Sequence, residues 1–311
     1  MEPRCLPGDG RVVFSSSRDL TRAQAKVADG GSSFVAWAEH MAESLFATLF
    51  PSDCRLCGAP LLKISRLPVC EDCLSAMRPI ASGVCSVCGE ALLSPYAFSD
   101  PHGDPRCGLC RRMDPPFAKA VAYGSYDGGL RELIQLLKYE QVRPAANVLG
   151  RMLADAVSSL PPSFKDINVL VVPVPLHDRK LHQRGFNQSE LIARVAVKLL
   201  PSLAKLTMTP RLLERRRETQ SQTGLTRHQR RENMRGAFAV TGPAALQGQD
   251  ILLVDDVFTT GTTVSECARI LRRAGAPRVW VATVARTLKV EAQHAIADDE
   301  GETRNALAAH V

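Results

Sequence analysis

The stretch of sequence that decides the fold is Ile251-Leu-Leu-Val-Asp-Asp-Val-Phe-Thr-Thr-Gly-Thr-Thr263. Its first four residues are apolar, as in a strand that is buried on both faces of a sheet. Asp255 and Asp256 follow at the carboxyl end of that strand, the edge where open α/β sheets bind ligands. Threonines and a glycine then lead into a helix predicted over 263–274, whose N-terminus attracts phosphate. The stretch therefore predicts a site for a ligand with a phosphate and vicinal hydroxyls, such as ribose 5-phosphate.

Apolar runs alternate with helical patterns on both sides of this stretch. Strands are predicted over 121–123, 169–174, 251–254 and 279–284, and helices over 130–137, 189–200 and 263–274. Strands that are separated by helices form a mostly parallel sheet with helices on both faces. The fold class is therefore α/β. We predict this domain over residues 115–286, followed by a C-terminal tail over 287–311.

The sequence disfavours two other nucleotide-binding folds. An apolar strand that ends in aspartate is also the Walker B pattern, but that pattern needs a GxxxxGK[ST] loop, which the chain lacks. No GxGxxG motif follows a predicted strand, so a dinucleotide-binding fold is disfavoured as well.

Eight of the ten cysteines form four consecutive CxxC pairs. These are Cys54 and Cys57, Cys70 and Cys73, Cys85 and Cys88, and Cys107 and Cys110. Two CxxC turns present four thiolates to one tetrahedral zinc ion, so we predict two structural zinc sites. Sequential pairing of the turns is the default, and interleaved pairing is the alternative. Because this segment has few aliphatic residues, metal would replace a hydrophobic core as its source of stability.

A disulfide framework is the other interpretation of these cysteines, and it requires an oxidising compartment. The first 20 residues contain no apolar region of the signal-peptide kind. We therefore expect a cytoplasmic protein with reduced thiols.

The N-terminal region divides into two parts. Residues 1–33 are polar and are predicted to form a disordered leader. Apolar residues recur at helical spacing from Phe34 to Phe50, and with the cysteine segment they form a second region, 34–114. The polar face of this helix carries Glu39 and Glu43, which favours docking onto the protein over binding a membrane surface. No apolar run reaches the length of about 18 residues that membrane insertion needs.

Several motifs together resemble one protein family. Residues 254–263 resemble the phosphoribosyl-pyrophosphate signature of type I phosphoribosyltransferases. Val172-Pro-Val-Pro-Leu-His177, Arg184-Gly-Phe-Asn-Gln188 and Leu137-Lys-Tyr139 are similar to ComF-family proteins, often described as competence proteins or predicted amidophosphoribosyltransferases. The cysteine segment resembles the double zinc ribbon that many members carry. The resemblance covers residues 45–286.

This resemblance implies a phosphoribosyltransferase with an unknown nitrogenous acceptor, for which no catalytic base can be named. Asp255 and Asp256 would hold the ribose 2- and 3-hydroxyls, and magnesium would arrive bound to pyrophosphate. The 5-phosphate would contact the loop formed by Thr259, Thr260, Gly261, Thr262 and Thr263. Arg184, in a basic loop after the second strand, can meet the pyrophosphate, and Lys138 is a further candidate. An ordinary basic loop and a favourable helix dipole are the competing explanations for these two cations.

The net charge of +7 favours anionic partners. Residues 211–235 contain eight Arg and three Glu, a local charge of +5. We predict that this segment does not pack alone and forms a mobile flap over an anionic substrate. It would also suit single-stranded DNA, although it lacks aromatic residues that stack on bases. A non-enzymatic accessory protein that binds single-stranded DNA during DNA uptake is therefore the alternative function.

Overall fold

The computed structural model describes residues 52–61, 65–80, 83–92, 104–164, 167–200, 204–217 and 227–288. The predicted leader, the helix predicted over 34–50 and all but two residues of the predicted tail lie outside these ranges. None of the helices in the described ranges has the length and apolar character needed to cross a membrane.

A five-stranded parallel sheet forms the centre of the fold. Its strands are β1 (Lys119–Ser125), β2 (Asn168–Pro173), β3 (Lys205–Met208), β6 (Asp250–Phe258) and β7 (Val279–Arg286). They lie in the order β1-β7-β6-β2-β3, and every neighbouring pair is parallel. The short strands β4 (Leu213–Arg215) and β5 (Phe238–Val240) form a separate antiparallel pair.

Eight α-helices occur in the described ranges. They are α1 (Glu71–Ser75), α2 (Gly108–Arg112), α3 (Gly128–Tyr139), α4 (Ala145–Ser158), α5 (Asp178–Arg184), α6 (Gln188–Leu199), α7 (Arg227–Met234) and α8 (Thr262–Arg273). Two short 3₁₀ helices, Pro162–Phe164 and Pro243–Leu246, complete the regular structure.

Helices cover both faces of the sheet, as the sequence predicts. Along β6, Leu252 and Val254 belong to the hydrophobic cluster that contains the buried residues of α3, α4 and α6. Ile251 and Leu253 belong to a second cluster, which contains the buried residues of α8. Because successive side chains of a strand point to opposite faces, a continuous apolar strand supplies both cores at once.

The cysteine segment packs against the edge strand β1. The Tyr123 hydroxyl donates a hydrogen bond to the Met77 carbonyl at 3.1 Å, and the Ala120 amide donates to the Val87 carbonyl at 2.7 Å. Met77 belongs to the first hydrophobic cluster and Val87 to the second. The segment therefore shares the two cores of the sheet, which agrees with its shortage of aliphatic residues.

Two segments take a more regular structure than the sequence indicates. Arg184 lies in helix α5, not in a loop, and Gly185 ends that helix in the left-handed conformation. Both ends of the 211–235 segment pack against the rest of the domain, because Leu213 and Met234 are buried in the second hydrophobic cluster. Residues 218–226, in its middle, lie outside the described ranges.

Candidate functional site

The two adjacent aspartates lie at the carboxyl end of β6, and we call them the carboxylate pair. Asp256 is 4% exposed, and Asp255 is half-buried. The Asp256 backbone amide donates to Asp255 Oδ1 at 3.0 Å, which orients the Asp255 side chain. The pair thus stands where the sequence predicts it, at the ligand-binding edge of the sheet.

Side chains from helices α3 and α6 converge on the carboxylate pair. Lys138, in the last turn of α3, forms an ion pair with Asp256 Oδ2. Gln188 Nε2 donates to Asp256 Oδ1 at 3.2 Å, and Ser189 Oγ donates to Asp255 Oδ1 at 3.1 Å. Arg184 reaches the same network, since its Nη1 donates to Gln188 Oε1 at 2.5 Å. Lys138 is therefore held by a carboxylate as well as favoured by the helix dipole.

Burial and neighbouring charge affect the two carboxyl groups in opposite directions. Burial raises the pKa of Asp255 to about 8, and the charge of Asp256 adds to this effect. Burial would also raise the pKa of Asp256, but the Lys138 ammonium overcomes it and lowers that pKa. The pKa of Lys138 is raised, because Asp256 outweighs the effect of burial on the ammonium. At neutral pH the pair therefore holds one proton, on Asp255.

The threonine-rich segment 259–263, which we call the phosphate loop, joins β6 to helix α8. Gly261 caps the helix with φ of 72°. A Cβ at this position would lie 2.6 Å from Cζ of Phe258, so the loop admits only glycine there. Thr262 is the first residue of α8, and its hydroxyl lies 2.9 Å from the Thr260 hydroxyl. Helix N-termini bind phosphate through their backbone amides.

A cleft of 660 Å³ opens beside the phosphate loop, within the size range of small-molecule sites. Its lining includes Thr260 and Gly261 of the phosphate loop and Arg269 of α8. Met113 and Pro116, which follow the last CxxC pair, also line it. The phosphate loop is therefore accessible from this cleft.

The eight predicted ligand cysteines form two groups of four. Cys54, Cys57, Cys70 and Cys73 form the first cysteine cluster, and Cys85, Cys88, Cys107 and Cys110 form the second. Within each cluster all sulfur atoms lie within 4.8 Å of one another, and three measured pairs are 3.7–3.9 Å apart. A tetrahedral zinc ion with Zn–S bonds of about 2.3 Å places its sulfurs about 3.8 Å apart. The grouping is the predicted sequential one, and its geometry fits zinc.

Comparison with protein-family models gives two matches. A double zinc ribbon domain matches residues 45–111, and a phosphoribosyl transferase domain matches residues 192–306. The first match contains both cysteine clusters, which are therefore two zinc-binding sites of four cysteines each. The second contains the carboxylate pair and the phosphate loop.

The chain is also similar to curated proteins over most of their length. It is 33% identical to the DNA utilization protein YhgH of Salmonella typhi over 246 residues, which are 76% of this chain and 98% of that protein. The chain belongs to the ComF family. Competence protein F of Haemophilus influenzae is 29% identical, over 70% of this chain and 96% of that protein. Competence protein ComFC of Bacillus subtilis is 26% identical, over 67% of this chain and 79% of that protein.

The structure of this ComF-family chain adds two residues that the sequence analysis did not select for the site. Gln188 and Ser189 are 5% and 0% exposed and form the first turn of α6, behind the Asn187 cap. Two polar residues in a first turn look like ordinary capping, so only their contact with the carboxylate pair identifies them. Of the predicted residues, Lys138, Arg184, Asp255 and Asp256 form one network. The role of each toward a ligand stays a prediction.

Proposed function

We propose that this ComF-family chain binds phosphoribosyl pyrophosphate and acts as a phosphoribosyltransferase. The single observation that carries this proposal is the succession of carboxylate pair, phosphate loop and helix N-terminus on one strand–loop–helix unit. Asp255 and Asp256 accept hydrogen bonds from the ribose 2- and 3-hydroxyls. The amides and hydroxyls of residues 259–263 bind the 5-phosphate.

The partners of the carboxylate pair are compatible with a bound sugar. Each carboxylate oxygen offers two lone pairs, so Asp256 can keep Gln188 and Lys138 and still accept a hydroxyl. Lys138 balances the buried charge before the ligand arrives. Arg184 stands next to this network, where its cation can meet pyrophosphate oxygens.

The reaction breaks the bond between C1 and the pyrophosphate oxygen and forms a bond from C1 to a nitrogen nucleophile. Positive charge develops on the ribose ring and negative charge on the leaving pyrophosphate, and Arg184 stabilises the latter. Mg²⁺ bound to pyrophosphate would add further neutralisation of the leaving group. Carboxylates suit Mg²⁺, but Lys138 already balances the charge of Asp256, so we assign the ion to the pyrophosphate. Cysteine thiolates that bind zinc favour a reducing, cytoplasmic location.

Calorimetric titration with phosphoribosyl pyrophosphate and Mg²⁺ tests this proposal. Asp256→Asn should weaken binding at least tenfold, since it replaces an ionised acceptor of a ribose hydroxyl with a neutral one, at roughly 1.5–3 kcal/mol per charged hydrogen bond. Asp255→Asn should weaken binding less, because the Asp255 carboxyl group already holds a proton near pH 7. Asp250→Asn is the matched control, because Asp250 lies at the other end of the same strand and pairs with Arg278 at 2.6 Å. Binding that is as tight in the two pair variants as in the control would refute the proposal.

The second candidate function is a non-enzymatic protein that binds single-stranded DNA. The names of the relatives, DNA utilization protein and competence protein, favour it. The positive charge of residues 211–235 favours it as well. Salt-sensitive affinity for single strands, without affinity for phosphoribosyl pyrophosphate, would support this candidate over the first.

A further inference from the structure

The rim of the site carries an aromatic ring that the proposed reaction does not use. Tyr139, the last residue of α3, is 72% exposed, more than any other large hydrophobic side chain among the described residues. The preceding residue, Lys138, forms the ion pair with Asp256. The ring is exposed to solvent, and its position relative to the carboxylate pair is set by its contact with Arg184.

Arg184 connects this ring to the carboxylate pair. The guanidinium carbon of Arg184 lies 5.6 Å from the centroid of the Tyr139 ring. The same guanidinium donates to Gln188, and Gln188 donates to Asp256. Three successive side-chain contacts thus lead from the ring to Asp256, and they fix the ring relative to the site.

A second arginine–aromatic contact supports the same region. Arg143, in the turn between α3 and α4, lies 5.2 Å from the ring centroid of Phe186, in the turn between α5 and α6. Phe186 is buried, and the Arg143 guanidinium also lies close to its neighbour Gly185. The two contacts therefore join the C-terminal ends of α3 and α5 and the turns that follow them. The Arg184 guanidinium contacts the Tyr139 ring, and most of the Tyr139 surface remains exposed to solvent.

We propose that Tyr139 and Arg184 form a stacking platform for a flat nitrogenous heterocycle, the base attached to C1 of the bound ribose 5-phosphate. This inference rests on the proposed function, because that function places the pentose on the carboxylate pair. Charged and polar groups surround the pair and suit hydroxyls and phosphates, whereas the open face of Tyr139 suits a planar ring. Stacking on an aromatic side chain with an adjacent arginine is tolerant of base identity.

The platform also revises an argument from the sequence. Residues 211–235 contain no aromatic side chain for base stacking, which speaks against base recognition by that segment. The structure instead brings an aromatic ring and an arginine together from two segments that are 45 positions apart. The acceptor or product would then be a nucleobase-like ring.

Titration of the full zinc-loaded chain with two probes tests the platform. Ribose 5-phosphate reports on the pentose site alone, and adenosine 5′-monophosphate adds a base at C1. We expect the nucleotide to bind about tenfold more tightly than the sugar phosphate, as one stacked base allows. Tyr139→Ala should abolish this tenfold difference and leave the affinity for ribose 5-phosphate within about twofold.

Two variants serve as controls. Tyr139→Phe keeps the ring and should keep the difference between the probes. Leu199→Ala removes an exposed apolar side chain at the end of α6 and should also keep it. Equal affinity of the wild type for both probes, or a difference that survives Tyr139→Ala, would overturn the platform while the pentose site stands. If neither probe binds, the proposed pentose site and the proposed platform are both refuted.

Discussion

Arg286 lies over the ring of Phe258, with its guanidinium carbon 4.6 Å from the ring centroid. The guanidinium also donates to the Cys88 carbonyl and forms an ion pair with Glu90. Only 3% of Arg286 is exposed. One buried cation therefore joins the second cysteine cluster to the residue that packs against Gly261 of the phosphate loop.

We predict that Arg286→Met destabilises the protein and weakens phosphate binding. The substitution leaves Glu90 without its cation and removes support from Phe258. Breaking a buried ion pair costs about 3–5 kcal/mol, and the melting temperature should fall by roughly 2–4 °C for each kcal/mol. Calorimetry of unfolding and titration with ribose 5-phosphate measure the two effects.

The double variant Arg286→Met with Glu90→Gln separates the ion pair from the aromatic contact. If the unpaired carboxylate causes the instability, the double variant should be more stable than Arg286→Met alone. Its affinity for ribose 5-phosphate should stay reduced, since Phe258 still lacks its cation. Wild-type affinity in both variants would show that Arg286 does not support the loop.

Gly261→Ala should disrupt the phosphate loop through two separate effects. Its φ of 72° is unfavourable for alanine, and the new Cβ would lie 2.6 Å from the Phe258 ring. Phe258 has little room to move, because the ring of Phe117 packs edge-on against it, with the two ring centroids 6.3 Å apart. We expect a loss of stability well above about 1 kcal/mol and at least tenfold weaker binding of ribose 5-phosphate.

Gly248→Ala is the matched control for this substitution. Gly248 has nearly the same φ, 71°, but nothing lies within 4 Å of the position that a Cβ would take there. This variant should lose only about 1 kcal/mol of stability, the cost of placing alanine at this φ, and should keep the wild-type affinity for ribose 5-phosphate. Equal effects at the two glycines would mean that Phe258 moves aside without consequence.

Strongly patterned segments could be predicted from the sequence, but elements that depend on tertiary packing could not. The apolar residues 251–254 predict β6, and the strand continues to Phe258 because Asp255 and Val257 still pair with β7. Helix α4 was not predicted. Its Gly150 admits α6 so closely that a Cβ would lie 2.4 Å from Val195, and this contact depends on the partner helix.

The residues of the candidate site also divide into those that a local motif predicts and those that depend on tertiary packing. Asp255 and Asp256 stand in one local motif, so their position follows from the strand that precedes them. Ser189 contacts Asp255 across 66 positions, and Arg286 contacts Cys88 across 198 positions. Pairings over such distances are set by the fold as a whole, and a single sequence carries no local signal for them.

The two zinc sites should release their metal at different rates. In the first cysteine cluster Cys57 is exposed, whereas Cys85, Cys88 and Cys110 of the second are buried. A competing chelator reaches an exposed thiolate sooner, so zinc release should occur in a fast and a slow phase of equal amplitude. Cys57→Ser should remove the fast phase and leave the slow one. A single phase of release in the wild type would contradict this expectation.

The adjacent aspartates should affect stability with opposite signs. Because burial raises the pKa of Asp255 from 3.8 to about 8, the folded chain keeps a proton that the unfolded chain releases between these values. The free energy of unfolding therefore falls as pH rises through this window. Asparagine has the shape of the protonated carboxyl group and cannot ionise. Asp255→Asn should thus melt above the wild type, by a margin that grows from about pH 5.5 to pH 8.

Asp256 is the contrasting case, because Lys138 holds its pKa below the ordinary value against the effect of burial. A lowered pKa contributes stability above the unfolded-state value, and this contribution is lost as pH falls through the folded-state value. Asp256→Asn also leaves the Lys138 ammonium buried without its carboxylate, so this variant should melt below the wild type near pH 7. Melting curves of the three proteins at several pH values measure both effects. Shifts of the same sign at the two positions would show that the pair does not share one proton as described.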